Sequence, residues 1–322
     1  MISGERKGEF VPDIKTILCP VDFSAFSRDA LAHGAQIAKW FDSQLIVFYV
    51  YPPPFAPPPV LFSGLPGPIP VEPFPPLTTS PEQTQSDVIA ELTKFVATVD
   101  TTGVQVRIVA QPGSPVRDIL DQAKAVNSDL IVLGTHGHTG FDRLVLGSVT
   151  EKVLRKATCA VLTVPPPVTE PPPDPVQLFK RILCPMDFSE ASLKALEYAL
   201  SLAKEADAEL LLMHVIEGLP EAPDWQLPGS PSVTEYLRLS EERALARLRA
   251  AIPEDAHAWS RPETLIATGK PYEAILRVAA ERDMRLIVMG VHGRNPIDRL
   301  FFGSTTNHVV RAATCPVLTL KS

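Results

Sequence analysis

The sequence predicts an α/β protein made of two similar domains, each an open, parallel β-sheet with helices on both faces. Three observations support this prediction: the sequence repeats itself, its strands are continuous apolar runs separated by helical segments, and its prolines are confined to a few stretches. With 322 residues, of which 45% are hydrophobic, the chain is long enough for two domains of about 150 residues with substantial cores.

The duplication is visible in three blocks that occur twice in the same order. The pairs are ILCPVDFS at 17–24 with ILCPMDFS at 182–189, GTHGHTGFDRLVLGS at 134–148 with GVHGRNPIDRLFFGS at 290–304, and ATCAVLT at 157–163 with ATCPVLT at 313–319. Equivalent residues are 165 positions apart at the front and 156 at the back, so the first copy carries nine extra residues in its middle. Such a repeat indicates two copies of one structural unit.

Strand and helix signals alternate within each copy. In the first copy the predicted strands are 16–20, 45–50, 104–110, 130–133 and 160–164. The predicted helices are 24–40, 114–125 and 148–155. A further amphipathic helix is predicted from the apolar residues that share one stripe, which are Val88, Ile89, Leu92, Phe95, Val96 and Val99. Strands that are apolar throughout are typical of a parallel sheet covered on both faces and connected by right-handed crossovers.

Proline, at 34 residues, marks the boundaries because it interrupts helices and central strands. Seven prolines at 165–175 predict a semi-rigid polyproline II connection. Thirteen more at 52–81 predict an insertion after the second strand, with a shorter counterpart at 218–232. We therefore expect a first domain at 12–164, a proline-rich linker at 165–176 and a second domain at 177–322.

Charge and hydropathy exclude several classes of function. The net charge of −7 argues against a nucleic-acid-binding protein, because phosphate backbones are bound mainly by clustered Lys and Arg. No apolar run approaches the roughly 18 residues of a membrane-spanning helix, and the charged first residues lack the apolar core of a signal peptide. We expect a cytoplasmic protein without membrane or nucleic-acid partners.

The four cysteines form two equivalent pairs, Cys19 with Cys184 and Cys159 with Cys315. They show no C-x-x-C spacing, so neither a zinc site nor a redox dithiol is expected. We predict that they are small buried residues beside the strands.

Polar residues and glycines follow the first and fourth predicted strands, where open parallel sheets bind ligands. Asp22 follows the first strand and G-x2-G-x9-G-S at 134–148 follows the fourth, with equivalents at Asp187 and 290–304. Glycines let the backbone approach an anion closely, and a helix start offers free N–H groups with a partial positive charge. The block is therefore suited to binding phosphate.

The same block also has a purely structural interpretation. Ser148 and Glu151 have the spacing of a helix capping box, and glycines after strands often form ordinary turns. His136 and His138 could suggest a metal site, but the second copy has Arg294 at the second position, so none is expected. Neither a P-loop nor a nucleophile elbow is present, and we predict no catalytic residue.

On these motifs the chain resembles a tandem universal stress protein. The ATP-binding signature of that family, G-x2-G-x9-G-[ST], is complete in both copies, and the PVDFS, PMDFS, ATCAVLTV and ATCPVLTL blocks also match family positions. The resemblance implies five parallel strands in the order 3-2-1-4-5 in each copy, an adenine-nucleotide site in each, and face-to-face pairing of the copies about a pseudo-twofold axis through their last strands. One departure is Pro296, which stands where the first copy has Gly140.

The resemblance also implies which residues surround the nucleotide. The aspartates would lie on the adenine or ribose side, two valines ending the second strands would contact adenine through their backbone, and the glycines and helix-start residues would surround the ribose and phosphates. The implied site residues are Pro20, Val21, Asp22, Val50, Leu133, Gly134, His136, Gly137, Gly147, Ser148, Val149 and Thr150 in the first copy, and Pro185, Met186, Asp187, Val215, Met289, Gly290, His292, Gly293, Gly303, Ser304, Thr305 and Thr306 in the second.

The favoured function is an ATP-binding regulatory protein of the stress response, with Mg²⁺ or Mn²⁺ as candidate companion ions of ATP. Two alternatives stay open: a slow ATP-cleaving or adenylating enzyme of the same superfamily, and a nucleotide-free scaffold. We expect at most very slow ATP hydrolysis, because phosphoryl transfer requires a positioned base and cationic or metal clamps. The sequence identifies no protein partner and leaves a homodimer open.

Overall fold

The computed structural model describes residues 14–53, 81–136, 146–166, 175–217, 233–260, 262–291 and 303–321. The elements of the first repeat are β1 (Thr16–Pro20), α1 (Ala25–Phe41), β2 (Gln44–Tyr51), α2 (Pro81–Val96), β3 (Gln105–Pro112), α3 (Pro115–Ala125), β4 (Leu130–Gly134), α4 (Ser148–Lys156) and β5 (Ala160–Val164).

The second repeat has the same order of elements with two short helices added. It contains α5 (Pro175–Phe179), β6 (Arg181–Pro185), α6 (Glu190–Ala206), β7 (Glu209–Ile216), α7 (Val233–Ala251), α8 (Ala256–Trp259), β8 (Glu263–Thr268), α9 (Pro271–Glu281), β9 (Leu286–Gly290), α10 (Ser304–Ala312) and β10 (Val317–Leu320). Among the described helices, none is long and apolar enough to cross a bilayer.

The strands form one ten-stranded sheet in the order β3-β2-β1-β4-β5-β10-β9-β6-β7-β8. Each repeat therefore has the order 3-2-1-4-5 and is parallel within itself, which confirms the predicted fold. The repeats meet through β5 and β10, which pair antiparallel with Leu162 opposite Leu318. The predicted pairing of the repeats through their last strands is confirmed. The strands join edge to edge and extend the sheet across both repeats, so only the expected face-to-face arrangement is wrong.

Helices cover both faces of this sheet, as the continuous apolar strands require. One face packs against α1, α2, α6 and α7, with Leu31 and Leu92 fully buried there. The other face packs against α3, α4, α9 and α10, with Val153 and Val309 fully buried. The stripe predicted for α2 is partly wrong, since Ile89 is 37% exposed while Leu92 and Val96 are buried.

The predicted linker ends earlier than expected, because its last two residues begin α5. Leu178 and Phe179 of this helix are buried. The Phe179 ring packs edge-on against Trp40 and Phe41 of α1, with ring centroids 6.2 and 6.4 Å apart. The first residues of the second repeat are therefore held against a helix of the first.

Candidate functional site

The carboxyl ends of β1 and β4 lie at the same edge of the sheet, since the two strands are parallel neighbours. From β1 the chain continues to β2 on one side, and it later returns to β4 on the other. This reversal of strand order opens a crevice at which doubly wound folds bind ligands. The same arrangement recurs at β6 and β9 in the second repeat.

A tight turn after β1 fixes the carboxylate of Asp22. Its Oδ1 accepts hydrogen bonds from the backbone N–H and the hydroxyl of Ser24, at 3.0 and 2.5 Å. The hydroxyl oxygen of Ser24 in turn accepts the N–H of Ser27 and caps α1, at 3.1 Å. The turn places Phe23 at φ 63°, in the left-handed region that larger residues rarely adopt.

The turn after β6 is built in the same way. Oδ1 of Asp187 accepts from the N–H and the hydroxyl of Ser189 at 3.0 and 2.6 Å, and Phe188 also has φ 63°. Both turns therefore orient an aspartate at the strand end while Oδ1 is engaged within the protein. The strand-end pattern predicted the aspartates, whereas the capping role of the serines two residues later appears only in the structure.

The first turn of α4 is fastened to the end of β4 by two hydrogen bonds. Thr150 Oγ1 donates to the carbonyl of Gly134 at 2.8 Å, and the N–H of Gly147 donates to the carbonyl of Thr135, also at 2.8 Å. In the second repeat Thr306 Oγ1 donates to the carbonyl of Gly290 at 2.9 Å. The threonine hydroxyl protons are thus used to position the helix.

Within the described part of the chain, no side chain caps the start of α4. Its N-cap residue is Gly147, and the N–H of Glu151 donates to the Gly147 carbonyl at 2.9 Å. Ser148 is the first residue inside the helix, so the capping-box interpretation of Ser148 and Glu151 is wrong. The helix α10 begins in the same way, with Gly303 as an N-cap that has no side chain.

This open helix start differs from the start of α1, which Ser24 caps. The N–H groups of the first helical residues have no partner within their own helix and carry its partial positive charge. At α4 these groups belong to Ser148, Val149 and Thr150. Because α4 is fastened to β4, its N–H groups are held beside the crevice without any lysine.

Two signature glycines are required by packing. A Cβ at Gly134 would lie 3.0 Å from the carbonyl oxygen of Phe26, and a Cβ at Gly290 would lie 2.7 Å from the Cβ of Ala191. Helices α1 and α6 therefore approach the ends of β4 and β9 too closely for a side chain. These glycines are structural whether or not a ligand binds.

The backbone beside the aspartates is largely engaged by neighbouring strands. The N–H of Val21 donates to the carbonyl of Phe48 at 2.9 Å, and the N–H of Met186 donates to the carbonyl of Met213 at 2.7 Å. The Met186 carbonyl also accepts from Nδ1 of His214 at 2.7 Å. The two repeats differ here, because Tyr49 occupies the position equivalent to His214.

The remaining predicted residues lie at strand ends, at a helix start or outside the described residues. Val50 and Val215 lie one residue before the ends of β2 and β7, not at the ends as expected. His136 is buried, with Nδ1 2.9 Å from the Thr135 hydroxyl. Four residues lie at or next to strand ends: Pro20 in β1, Pro185 in β6, Leu133 in β4 and Met289 in β9. The helix α10 begins with Ser304 and Thr305. Three predicted residues, Gly137, His292 and Gly293, lie outside the described residues.

Among the residues that the structure describes, acidic and histidine side chains do not cluster at this edge of the sheet. Within the described ranges, no group of three or more His, Cys, Asp or Glu residues is placed to hold a metal ion. The polar groups brought together are instead one aspartate per repeat and the open start of a helix. That combination is suited to a ligand with a hydroxylated part and an anionic part.

The family model of universal stress proteins matches the sequence over residues 13–165 and 178–321. The chain belongs to the universal stress protein family. A universal stress protein of Mycolicibacterium smegmatis is 25% identical over 309 residues, which are 95% of this chain and 96% of that protein. The tandem arrangement therefore occurs in a relative of matching length.

Two further similarities concern a single repeat and the whole fold. A universal stress protein of Methanocaldococcus jannaschii is 33% identical over 150 residues, covering 45% of this chain and 83% of that protein. The crystal structure of a universal stress protein from Archaeoglobus fulgidus covers 97% of both chains with a TM-score of 0.62 at 22% identity. The ten-stranded arrangement is thus a known fold of this family. Another universal stress protein has been solved in complex with cAMP.

Proposed function

We propose that this protein is a cytoplasmic, ATP-binding regulatory protein of the stress response, with one nucleotide site in each repeat. The observation that carries the proposal is the open start of α4, fastened to β4 beside Asp22, with the same arrangement at α10. The complete G-x2-G-x9-G-S signature adds to it in both repeats. No catalytic role is assigned to any residue.

In this proposal the two parts of the crevice bind different parts of ATP. Asp22 or Asp187 accepts hydrogen bonds from the ribose or adenine side, while the helix-start N–H groups donate to phosphate oxygens. Each hydrogen bond to a charged oxygen contributes roughly 1.5–3 kcal/mol, and the helix start adds about 0.3–1 kcal/mol. Several such bonds together are sufficient for micromolar affinity, which corresponds to about 8 kcal/mol.

A proline at the first position of α4 tests this proposal directly. Ser148→Pro removes one N–H that is expected to bind phosphate, and proline is well tolerated at a first helical position. Gly147, at φ −58° and ψ 136°, already has the extended conformation that a residue before proline adopts. We expect ATP titration by calorimetry to show an affinity loss of roughly tenfold or more at the first site, as the loss of one such bond implies.

Ser148→Ala is the matched control, since it keeps the N–H and should bind nearly as tightly as the wild type. Ser304→Pro and Ser304→Ala repeat the comparison at α10, where Gly303 has φ −54° and ψ 135°. The proposal fails if the wild-type chain binds no ATP. Equal affinities of the proline and alanine variants would show that the helix start does not hold the phosphates.

The two alternative functions differ from the favoured one in whether the protein binds ATP and in how fast it turns ATP over. A scaffold would carry no adenine nucleotide through purification and bind none when it is added. An enzyme would turn ATP over with Mg²⁺ or Mn²⁺ at a rate approaching the ~10 s⁻¹ typical of enzymes. We expect bound nucleotide and at most very slow turnover.

A further inference from the structure

One ion pair joins the candidate site of the first repeat to the second repeat. Glu151 lies in the first turn of α4, and Arg311 lies in the last turn of α10. Their Oε2 and Nη2 atoms are 3.7 Å apart, and both side chains are about one-third exposed. The pair therefore crosses the junction that β5 and β10 form.

We propose that Arg311 is a positioning residue for the nucleotide site of the first repeat, although it belongs to the second. This inference rests on the proposed function. Glu151 places a carboxylate one helical turn from the N–H groups at the start of α4, where its charge opposes a bound phosphate. Arg311 offsets that charge and holds the carboxylate toward the junction.

The second site does not need a cation that offsets a carboxylate at its helix start. At the spacing of 156 that relates the two repeats in this region, Glu151 corresponds to Asn307 and Arg155 corresponds to Arg311. Asn307 is neutral, so the start of α10 has no acidic side chain in its first turn. The affinity of the first site therefore depends on how the repeats are docked, whereas that of the second does not.

The expected effect is moderate because the pair is partly exposed. The attraction or repulsion between unit charges is weak in a water-rich environment, and salt reduces it further. Removing the guanidinium should weaken ATP binding at the first site about twofold to fivefold at low salt. The loss should shrink as ionic strength rises, which is not expected when a substitution merely loosens packing.

The test measures ATP affinity of the full chain in a background that leaves the first site alone. Gly293→Val is intended to block the second site, and a stoichiometry of one ATP per chain verifies this. In that background Arg311→Ala should weaken binding, while Arg155→Ala, at the equivalent position of the first repeat, should not. Glu151→Gln should bind ATP at least as tightly as its parent.

The double variant Glu151→Gln with Arg311→Ala separates charge from structure. If Arg311 acts by offsetting Glu151, the double variant recovers the parent affinity, and Arg311→Lys retains most of it. An Arg311→Ala loss that persists in the double variant, or an unchanged affinity in Arg311→Ala, overturns the inference. Either result leaves the proposed function intact, because the parent still binds ATP; absence of binding to the wild type would refute both.

Discussion

Thr163 and Thr319 each donate a side-chain hydrogen bond to the strand of the other repeat. Thr163 Oγ1 donates to the carbonyl of Val317, and Thr319 Oγ1 donates to the carbonyl of Val161, both at 3.1 Å. The two threonines are equivalent residues of the duplication and are almost completely buried, at 0% and 1% exposure. The junction therefore has local twofold symmetry in its side chains as well as in its strand pairing.

Replacing either threonine by valine should destabilise the protein by similar amounts. The change removes one buried hydrogen bond of about 1 kcal/mol and keeps the branched shape that suits a strand. Urea unfolding should show a lower midpoint for Thr163→Val and for Thr319→Val. Thr93→Val, which removes the exposed hydrogen bond to the Ile89 carbonyl, is the control and should change stability by less than about 0.5 kcal/mol. A large difference between the two junction variants would contradict the symmetry.

A methyl group at Gly290 should be costly, whereas one at Gly34 should not. The added Cβ at Gly290 would lie 2.7 Å from the Cβ of Ala191, but at Gly34 the nearest atom would be Cδ1 of Leu45 at an ordinary 3.4 Å. Gly290→Ala should lose about 1–3 kcal/mol by overpacking. Gly34→Ala lies inside α1 and should be neutral or stabilising by up to about 1 kcal/mol. Thermal unfolding compares the stabilities of the two variants. Equal stabilities would show that α6 can move away from the added methyl group at residue 290.

The thiols should be nearly inert in the native protein. Burial raises the pKa of Cys19, Cys184 and Cys315 to about 12 and that of the half-buried Cys159 to about 11. Since the thiolate is the reactive form, a thiol reagent at pH 8 should label the folded chain slowly, and Cys159 first. All four thiols should react in denaturant. Rapid native labelling of Cys19 would contradict the burial of β1.

Stability should fall below neutral pH because of His33. Its ring is buried in α1, with Nδ1 2.9 Å from the Asp29 carbonyl, and burial lowers its pKa below the usual value near 6.5, partly opposed by that hydrogen bond. The unfolded chain therefore binds a proton first as the pH falls. The contribution of His33 is fully present above pH ~6.5 and is lost below it, by at most about 1.4 kcal/mol per pH unit.

Urea unfolding at several values between pH 7.5 and 5 measures this dependence. His33→Gln does not titrate, so its stability should fall less steeply below pH 6.5 than that of the wild type. Parallel profiles for the two proteins would show that His33 does not titrate differently in the folded and unfolded states.

The buried environment predicted for the cysteines is confirmed at Cys19, Cys184 and Cys315, while Cys159 is half-buried. The prediction was accurate because a cysteine behaves as a small hydrophobic residue and is buried together with the apolar residues around it. Ile89 shows the opposite case. It lies on the apolar stripe of α2 yet is 37% exposed, because a helix on the sheet buries a narrower face than its apolar residues span.

The duplication, the parallel α/β class, and the location of Asp22 and the glycine block at strand ends could all be predicted from the sequence alone. These features follow from patterns along the chain, namely repeated sequence blocks, apolar runs and glycine spacing. The strand order came with the family resemblance. Only the tertiary structure shows that Gly147, not Ser148, is the N-cap of α4, and that Glu151 faces Arg311. Capping depends on backbone angles, and an ion pair between repeats depends on how two edge strands meet. Neither is encoded in local spacing.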